Sequence, residues 1–134
     1  MSTVIPTAAA LYAAILGLLA ALLTVRVILS RVSTGIQAGD GGNARLGQVI
    51  RAHANLSEQV PLALLLIALV EVLGTPAVWV HALGVVLVLA RLSSAWGLSH
   101  SLGPTQPRQA GAGLTVAVVV VASLMIFYRL LIAR

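Results

Sequence analysis

The sequence predicts an all-α integral membrane protein, a bundle of four transmembrane helices. Of its 134 residues, 60% are hydrophobic and only 8% are charged, whereas about 25% are charged in an ordinary soluble domain. Four apolar segments provide, alone or by continuation of a helix, the roughly 20 residues that cross a bilayer. No repeat is evident, and the chain is short, so we expect a single domain covering residues 1–134.

The predicted spans cover residues 5–28, 46–73, 77–98 and 109–132. No basic residue precedes the first apolar run, which is long enough to span, so we expect a retained helix and not a cleaved signal peptide. The second span starts in a polar segment because its apolar half alone is too short. Gly-Thr-Pro at 74–76 predicts a tight turn that makes the second and third spans antiparallel. The fourth span is rich in valine, but in a bilayer a helix satisfies its backbone hydrogen bonds.

Arginine supplies all eight basic residues, and its distribution predicts the orientation. Four arginines lie on or near the first and third loops, and two lie at the C-terminus. The positive-inside rule therefore places loops one and three in the cytoplasm and both termini on the opposite side of a bacterial inner membrane. Without a basic stripe interleaved with aromatics, we expect no nucleic-acid partner. We also expect no metal site, because the chain has no cysteine and His81 and His100 lie near opposite ends of the third span. The arginines on or near the two loops are Arg31, Arg45, Arg51 and Arg108, and those at the C-terminus are Arg129 and Arg134.

The polar segment at residues 51–61 is the leading candidate for a functional site. Arg51, Asn55 and Glu58 share one helix face at about 100° per residue. Ionisable groups at membrane depth cost about 2.5 to 3.5 kcal/mol each and often mark a site. A structural ion-pair network with arginines of other helices is the alternative, because buried charge is retained when it is paired. His53 lies on the opposite face, where contact with another helix or subunit is expected.

The functional interpretation of this stripe is a socket for an anionic or zwitterionic ligand. Arg51 and Arg26 would bind carboxylates through their planar guanidinium groups, and Glu58 would bind an ammonium group. A polar transport path is a weaker alternative. Phosphate binding by the glycine-rich first loop is disfavoured because the loop lacks a Gly-Lys-Ser/Thr ending. A serine hydrolase is also disfavoured, since neither Ser57 nor Ser94 has a plausible set of histidine and aspartate partners nearby.

Two structural expectations concern the first and second helices. Ala13, Gly17 and Ala21 form a ridge of small residues at fourfold spacing, which allows close packing of a second helix within the bundle or between subunits. Glu71 lies near the outer boundary of the second span, where we expect it to be solvated.

The segment 51–61, RAHANLSEQVP, resembles the second-helix motif of MAPEG, the membrane-associated proteins in eicosanoid and glutathione metabolism. With matching positions in the other helices, the resemblance extends over roughly residues 10 to 130. It implies a homotrimer embedded in membrane lipid, with glutathione or a related low-molecular-weight thiol bound between subunits at the cytoplasmic side. The other matching positions are Arg26, Arg91, Gly97, Arg108 and Gly111.

The resemblance also implies an enzyme, a glutathione transferase or peroxidase acting on an apolar electrophile or lipid hydroperoxide that arrives from the bilayer. Arg108, helped by Arg91 or Ser94, would steady the thiolate. A thiol with a pKa of about 8.5 is a few per cent ionised at pH 7, and an adjacent guanidinium lowers that pKa. The residues implied in glutathione binding are Arg26, Arg51, His53, Asn55 and Glu58.

Departures from the family pattern favour an alternative without catalysis. Family enzymes commonly carry tyrosine or histidine on the third helix, where this chain has Ser94, Trp96 and Leu98, and Gln59 replaces a frequent aromatic. The family also includes a non-enzymatic lipid-binding member. The alternative is therefore a membrane protein that binds a lipid or an anionic thiol at the same subunit interface.

Overall fold

The computed structural model describes residues 5–101 and 103–132; Arg134, counted above in the orientation, lies outside them. Helices account for the regular structure of these ranges, and strands do not occur in them. All four helices are long and apolar enough to cross a membrane, which confirms the predicted all-α four-helix fold. The helices are α1 (Thr7–Thr34), α2 (Ala44–Val72), α3 (Ala77–His100) and α4 (Gln106–Ile132).

The ends of α1 and α2 at the first loop follow local capping chemistry. α1 continues to Thr34, beyond the predicted end of the first span at residue 28. It stops at Gly35, which has a φ of 70° and donates its N–H to the Arg31 carbonyl over 2.9 Å. Glycine adopts this left-handed conformation without a Cβ clash. α2 begins after Asn43, whose side-chain oxygen accepts a hydrogen bond from the Leu46 N–H over 3.0 Å.

The α2–α3 pair forms the centre of the bundle. α2 continues through Pro61 and packs against all three other helices, whereas α1 and α4 do not contact each other within the described residues. The core between the helices contains fully buried side chains such as Leu16, Ile67 and Leu87. Because lipid is as apolar as these side chains, van der Waals packing and interhelical hydrogen bonds hold the bundle together.

The small-residue ridge on α1 does not pack within the bundle. Ala13, Gly17 and Ala21 are all exposed, and a Cβ added at Gly17 would have no neighbour within 4 Å. The buried positions of α1 lie elsewhere on the helix and include Leu16 and Leu23. Of the two expected roles of the ridge, contact within the subunit is therefore wrong.

Glu71 caps the start of α1, so the expectation that it is solvated is wrong. Its two carboxylate oxygens accept hydrogen bonds from the backbone N–H groups of Ala8 and Ala9 over 2.9 and 2.7 Å. The first turn of a helix leaves its N–H groups unpaired and carries partial positive charge. Pro6 provides no side-chain cap, and the end of α2 supplies a carboxylate in its place.

The bundle has two ends that matter for function. The turn end contains the start of α1, the α2–α3 turn and the last turns of α4, where Arg129 Nη2 donates to the Gly74 carbonyl over 2.9 Å. The loop end contains the α1–α2 and α3–α4 connections. Of the charged residues on α2, Arg51 lies in the half nearer the loop end and Glu58 lies at the middle of the helix.

Candidate functional site

A buried arginine connects three helices in the half of the bundle nearer the loop end. Arg91 on α3 is 1% exposed. Its Nη1 donates to Asn55 Oδ1 on α2 over 3.0 Å. Its Nη2 donates to Ser94 Oγ over 3.1 Å and to the Gly111 carbonyl on α4 over 2.8 Å. All of these acceptors are neutral, and Nε has no hydrogen-bond partner among the described residues. A buried guanidinium is thus held by dipoles, without an acidic partner in the described chain.

This contact fixes the orientation of the Asn55 amide. Arginine can only donate hydrogen bonds, so the group that faces Arg91 must be the Asn55 oxygen. The Asn55 NH₂ group is left with two donors, and no described residue accepts from it. The side chain is partly buried, so a ligand atom opposite this NH₂ group must be a hydrogen-bond acceptor.

Arg51 and Glu58 flank Asn55 on the same helix and carry opposite charges. Both are exposed, and His53 is partly buried. None of the three makes a side-chain hydrogen bond or ion pair within the described part of the chain. An ion-pair network inside the subunit, the structural alternative for the stripe, is therefore not formed among these residues. The exposed charges remain available to a ligand or to another copy of the chain.

Arg108 lies in the first turn of α4, where α4 approaches α3 closely. The side chain is partly buried, and its Nη1 donates to the Gly103 carbonyl over 3.4 Å. A Cβ at Gly97 would lie 2.9 Å from the backbone nitrogen of Arg108. One at Gly111 would overlap Ser94 Oγ. Both glycines thus permit the approach that brings the start of α4 against the buried Arg91 cluster.

Arg26 is not joined to the α2 stripe within one subunit. It is exposed on α1, and its Nη1 donates to Ser99 Oγ on α3 over 3.3 Å. Both residues line a crevice of about 330 Å³ between α1 and α3. The structure therefore brings Asn55, Arg91 and Ser94 together, whereas Arg26 bonds to Ser99 of α3 and not to the described residues of the stripe.

Two of the three third-helix positions that depart from the family pattern, Ser94 and Leu98, offer no free polar group. Ser94 is 3% exposed and bonded to Arg91, and Leu98 is buried. Trp96 is exposed and stacks on His100, with ring centroids 4.3 Å apart. Among the described residues, no group of three or more histidine, aspartate or glutamate side chains could hold a metal ion.

Sequence reasoning missed the main-chain contribution to the site. The carbonyl of Gly111 accepts from Arg91 and also from Thr115 Oγ1, over 2.9 Å. A backbone carbonyl has no signature in the sequence. A charged residue in the middle of the third span was a signal that some buried acceptor must exist, but it did not indicate which one.

Fold and site together define a four-helix integral membrane protein in which the buried Arg91 links Asn55 of α2 to the start of α4. The chain belongs to the MAPEG family, whose model matches residues 9–128. It is also 36% identical over 93 residues to inner membrane protein YecN of Escherichia coli strain K12, covering 69% of this chain and 71% of that protein. YecN of Escherichia coli O6:H1 gives the same identity and coverage. The predicted resemblance is confirmed, and the protein belongs to a membrane family of glutathione and eicosanoid metabolism.

Proposed function

We propose that this protein binds glutathione, or a related low-molecular-weight thiol, between the subunits of a homotrimer and activates it as a transferase or peroxidase. The observation that carries the proposal is the Arg91 cluster. Its hydrogen bonds to Asn55 and to the Gly111 carbonyl tie the polar stripe of α2 to the start of α4, which carries Arg108. A ligand that spans the two would have its peptide on α2 and its sulfur near α4.

The α2 stripe has the groups that a peptide thiol requires. Glutathione has two carboxylates, an ammonium group and amide carbonyls. Arg51 would bind a carboxylate through paired N–H groups, and Glu58 would bind the ammonium group. The Asn55 NH₂ group, directed away from Arg91, would donate to a carbonyl or carboxylate oxygen. Cation, donor and anion thus stand in a row that is complementary to one end of the ligand.

A second subunit would complete this socket. Arg26 lies on the α1–α3 side of its own subunit, bonded to Ser99, so it would reach the stripe of a neighbouring copy. His53 would face the thiol from across the same interface. The exposed ridge of Ala13, Gly17 and Ala21 gives α1 a surface that another helix can approach closely. The arginine distribution supports a site in the cytoplasmic half of the inner membrane.

Arg108 would stabilise the thiolate, and Arg91 with Ser94 would act by positioning. Lowering a thiol pKa by about two units corresponds to about 2.7 kcal/mol and makes the nucleophile dominant at neutral pH. The thiol proton leaves to water, and the sulfur attacks an electrophilic carbon from the bilayer as its leaving group departs. Arg91 is 1% exposed, so its role is to hold Asn55 and the α4 backbone in place.

A non-catalytic membrane protein that binds a lipid or an anionic thiol at the same interface is the second candidate. It is favoured by the third helix, because the Ser94 hydroxyl already accepts a hydrogen bond from Arg91 and Leu98 is buried. In the part of the chain that the structure describes, these two positions give the sulfur no exposed hydroxyl or imidazole. Ligand binding without turnover would distinguish this candidate.

The test is glutathione conjugation to 1-chloro-2,4-dinitrobenzene by protein purified in detergent. The proposal predicts a rate above that of buffer, a loss of at least about tenfold in kcat for Arg108→Ala, and no loss for Arg45→Ala, which removes an exposed arginine elsewhere in the loop-end half. Saturable glutathione binding with no rate above buffer would select the non-catalytic candidate. No binding and no rate would reject both candidates.

A further inference from the structure

A crevice between α3 and α4 opens at the turn end of the bundle. It has a volume of about 510 Å³ and adjoins a second space of about 200 Å³ that lies deeper along the same two helices. Trp79, Val121 and Met125 line both spaces. The deeper part is lined by apolar and aromatic side chains throughout. No residue of α2 lines either part, so the crevice is separate from the proposed thiol site.

The mouth of the crevice carries a positive charge. Of the described residues, Arg129 is the only charged one that lines it. Nη2 of Arg129 donates to the Gly74 carbonyl, and the other guanidinium nitrogens of Arg129 have no partner among the described residues. Thr75, on the wall of the mouth, is 9% exposed, and its buried hydroxyl oxygen has no hydrogen-bond partner in the described part of the chain. The mouth therefore combines a cation that has unused donors with an unsatisfied hydroxyl group.

The crevice has the depth of one membrane leaflet. Ala117 lines its deep part and Arg129 its mouth, a separation of about 18 Å along α4 at about 1.5 Å per residue. Half of a hydrocarbon core of about 30 Å is about 15 Å. Trp79, at the mouth, is a residue type that prefers the membrane–water interface. The charge at the membrane boundary matches the position of a phospholipid headgroup, and the apolar groove below it matches the position of an acyl chain.

We propose that this crevice binds an anionic phospholipid, with its phosphate on Arg129 and one acyl chain between α3 and α4. The planar guanidinium group matches the geometry of a phosphate oxygen pair. None of the described residues that line the crevice is acidic, so a headgroup with net negative charge is attracted more strongly than a zwitterionic one. The bound lipid would occupy the leaflet at the turn end and would not depend on the thiol ligand.

The test is native mass spectrometry of the delipidated protein, titrated with phosphatidylglycerol or with phosphatidylcholine of the same acyl chains. The proposal predicts saturable binding of phosphatidylglycerol about fivefold tighter than phosphatidylcholine, which corresponds to about 1 kcal/mol. Arg129→Gln should lower phosphatidylglycerol affinity to that of phosphatidylcholine. The matched control Arg45→Gln, which removes an exposed arginine outside the crevice, should leave the preference unchanged.

Two groove variants make the test independent of the folding of Arg129→Gln. Ala82→Leu, on the groove wall, should weaken binding of both lipids by occupying the space of the acyl chain. Arg129→Lys should retain most of the preference. Equal binding of the two lipids by the wild type, or full binding by Ala82→Leu, would overturn the proposal. It would also be overturned if Ala82→Leu changed the oligomeric mass, because the crevice would then be a subunit contact.

Discussion

Replacing Glu71 with glutamine should detach the start of α1 from the end of α2. The carboxylate accepts the backbone N–H groups of Ala8 and Ala9, one on each oxygen. An amide can accept only one of them, and its NH₂ group is directed at the other donor. The substitution therefore loses one charge-assisted hydrogen bond, worth about 1.5 to 3 kcal/mol. It also loses the favourable interaction with the helix terminus, worth about 0.3 to 1 kcal/mol.

We expect Glu71→Gln to lower the free energy of unfolding by about 2 to 4 kcal/mol. The assay is unfolding in mixed micelles with increasing dodecyl sulfate, followed by far-ultraviolet circular dichroism. Hydrogen exchange at the amides of residues 8 and 9 should accelerate in the same variant. The matched control is Glu58→Gln on the same helix, because Glu58 is exposed and makes no ion pair in the described chain. Without thiol, its effect should stay within about 0.5 kcal/mol. Equal effects of the two substitutions would refute the reasoning.

Two further predictions concern the buried cluster at the start of α4. Gly111→Ala should destabilise the protein by about 1 to 3 kcal/mol, because the added Cβ would overlap Ser94 Oγ. The control Gly113→Ala should stabilise it by up to about 1 kcal/mol, because a Cβ at Gly113 has no neighbour within 4 Å. Equal thermal shifts of the two variants would contradict this packing. Arg91→Met should weaken thiol binding at least about tenfold, because it releases the Asn55 amide, and Arg91→Lys should retain part of the wild-type affinity. Calorimetric titration measures both affinities. A wild-type affinity for Arg91→Met would exclude the positioning role.

The fold was predictable because its causes are local in the sequence. The length and apolarity of four segments require membrane-spanning helices, and the family resemblance agreed with that count. The end of α1 was predicted too early because the apolar run weakens after residue 28. The helix nevertheless continues until Gly35, where a left-handed residue ends it. Hydropathy marks the part of a helix that lies in lipid, whereas capping marks where the helix ends.

Of the candidate site, the sequence predicted only which residues share one face of α2. Spacing placed Arg51, Asn55 and Glu58 together, since a helix repeats every 3.6 residues. The contact of Arg91 with Asn55 joins residues 36 apart, and nothing in either local segment specifies it. The cap at Glu71 was missed for the same reason, because it depends on which helix ends meet. Long-range pairing of polar groups requires the packed bundle.

The most direct test of the central claim is thermal stability of the purified protein across a glutathione titration, in wild type and in Arg51→Ala, Glu58→Ala and the control Arg45→Ala. A ligand that binds only the folded state should stabilise it by about 2.7 kcal/mol at one hundred times its dissociation constant. The account predicts a saturable shift in wild type and control that is lost in both stripe variants. No shift in wild type, or an undiminished shift in both stripe variants, would contradict it.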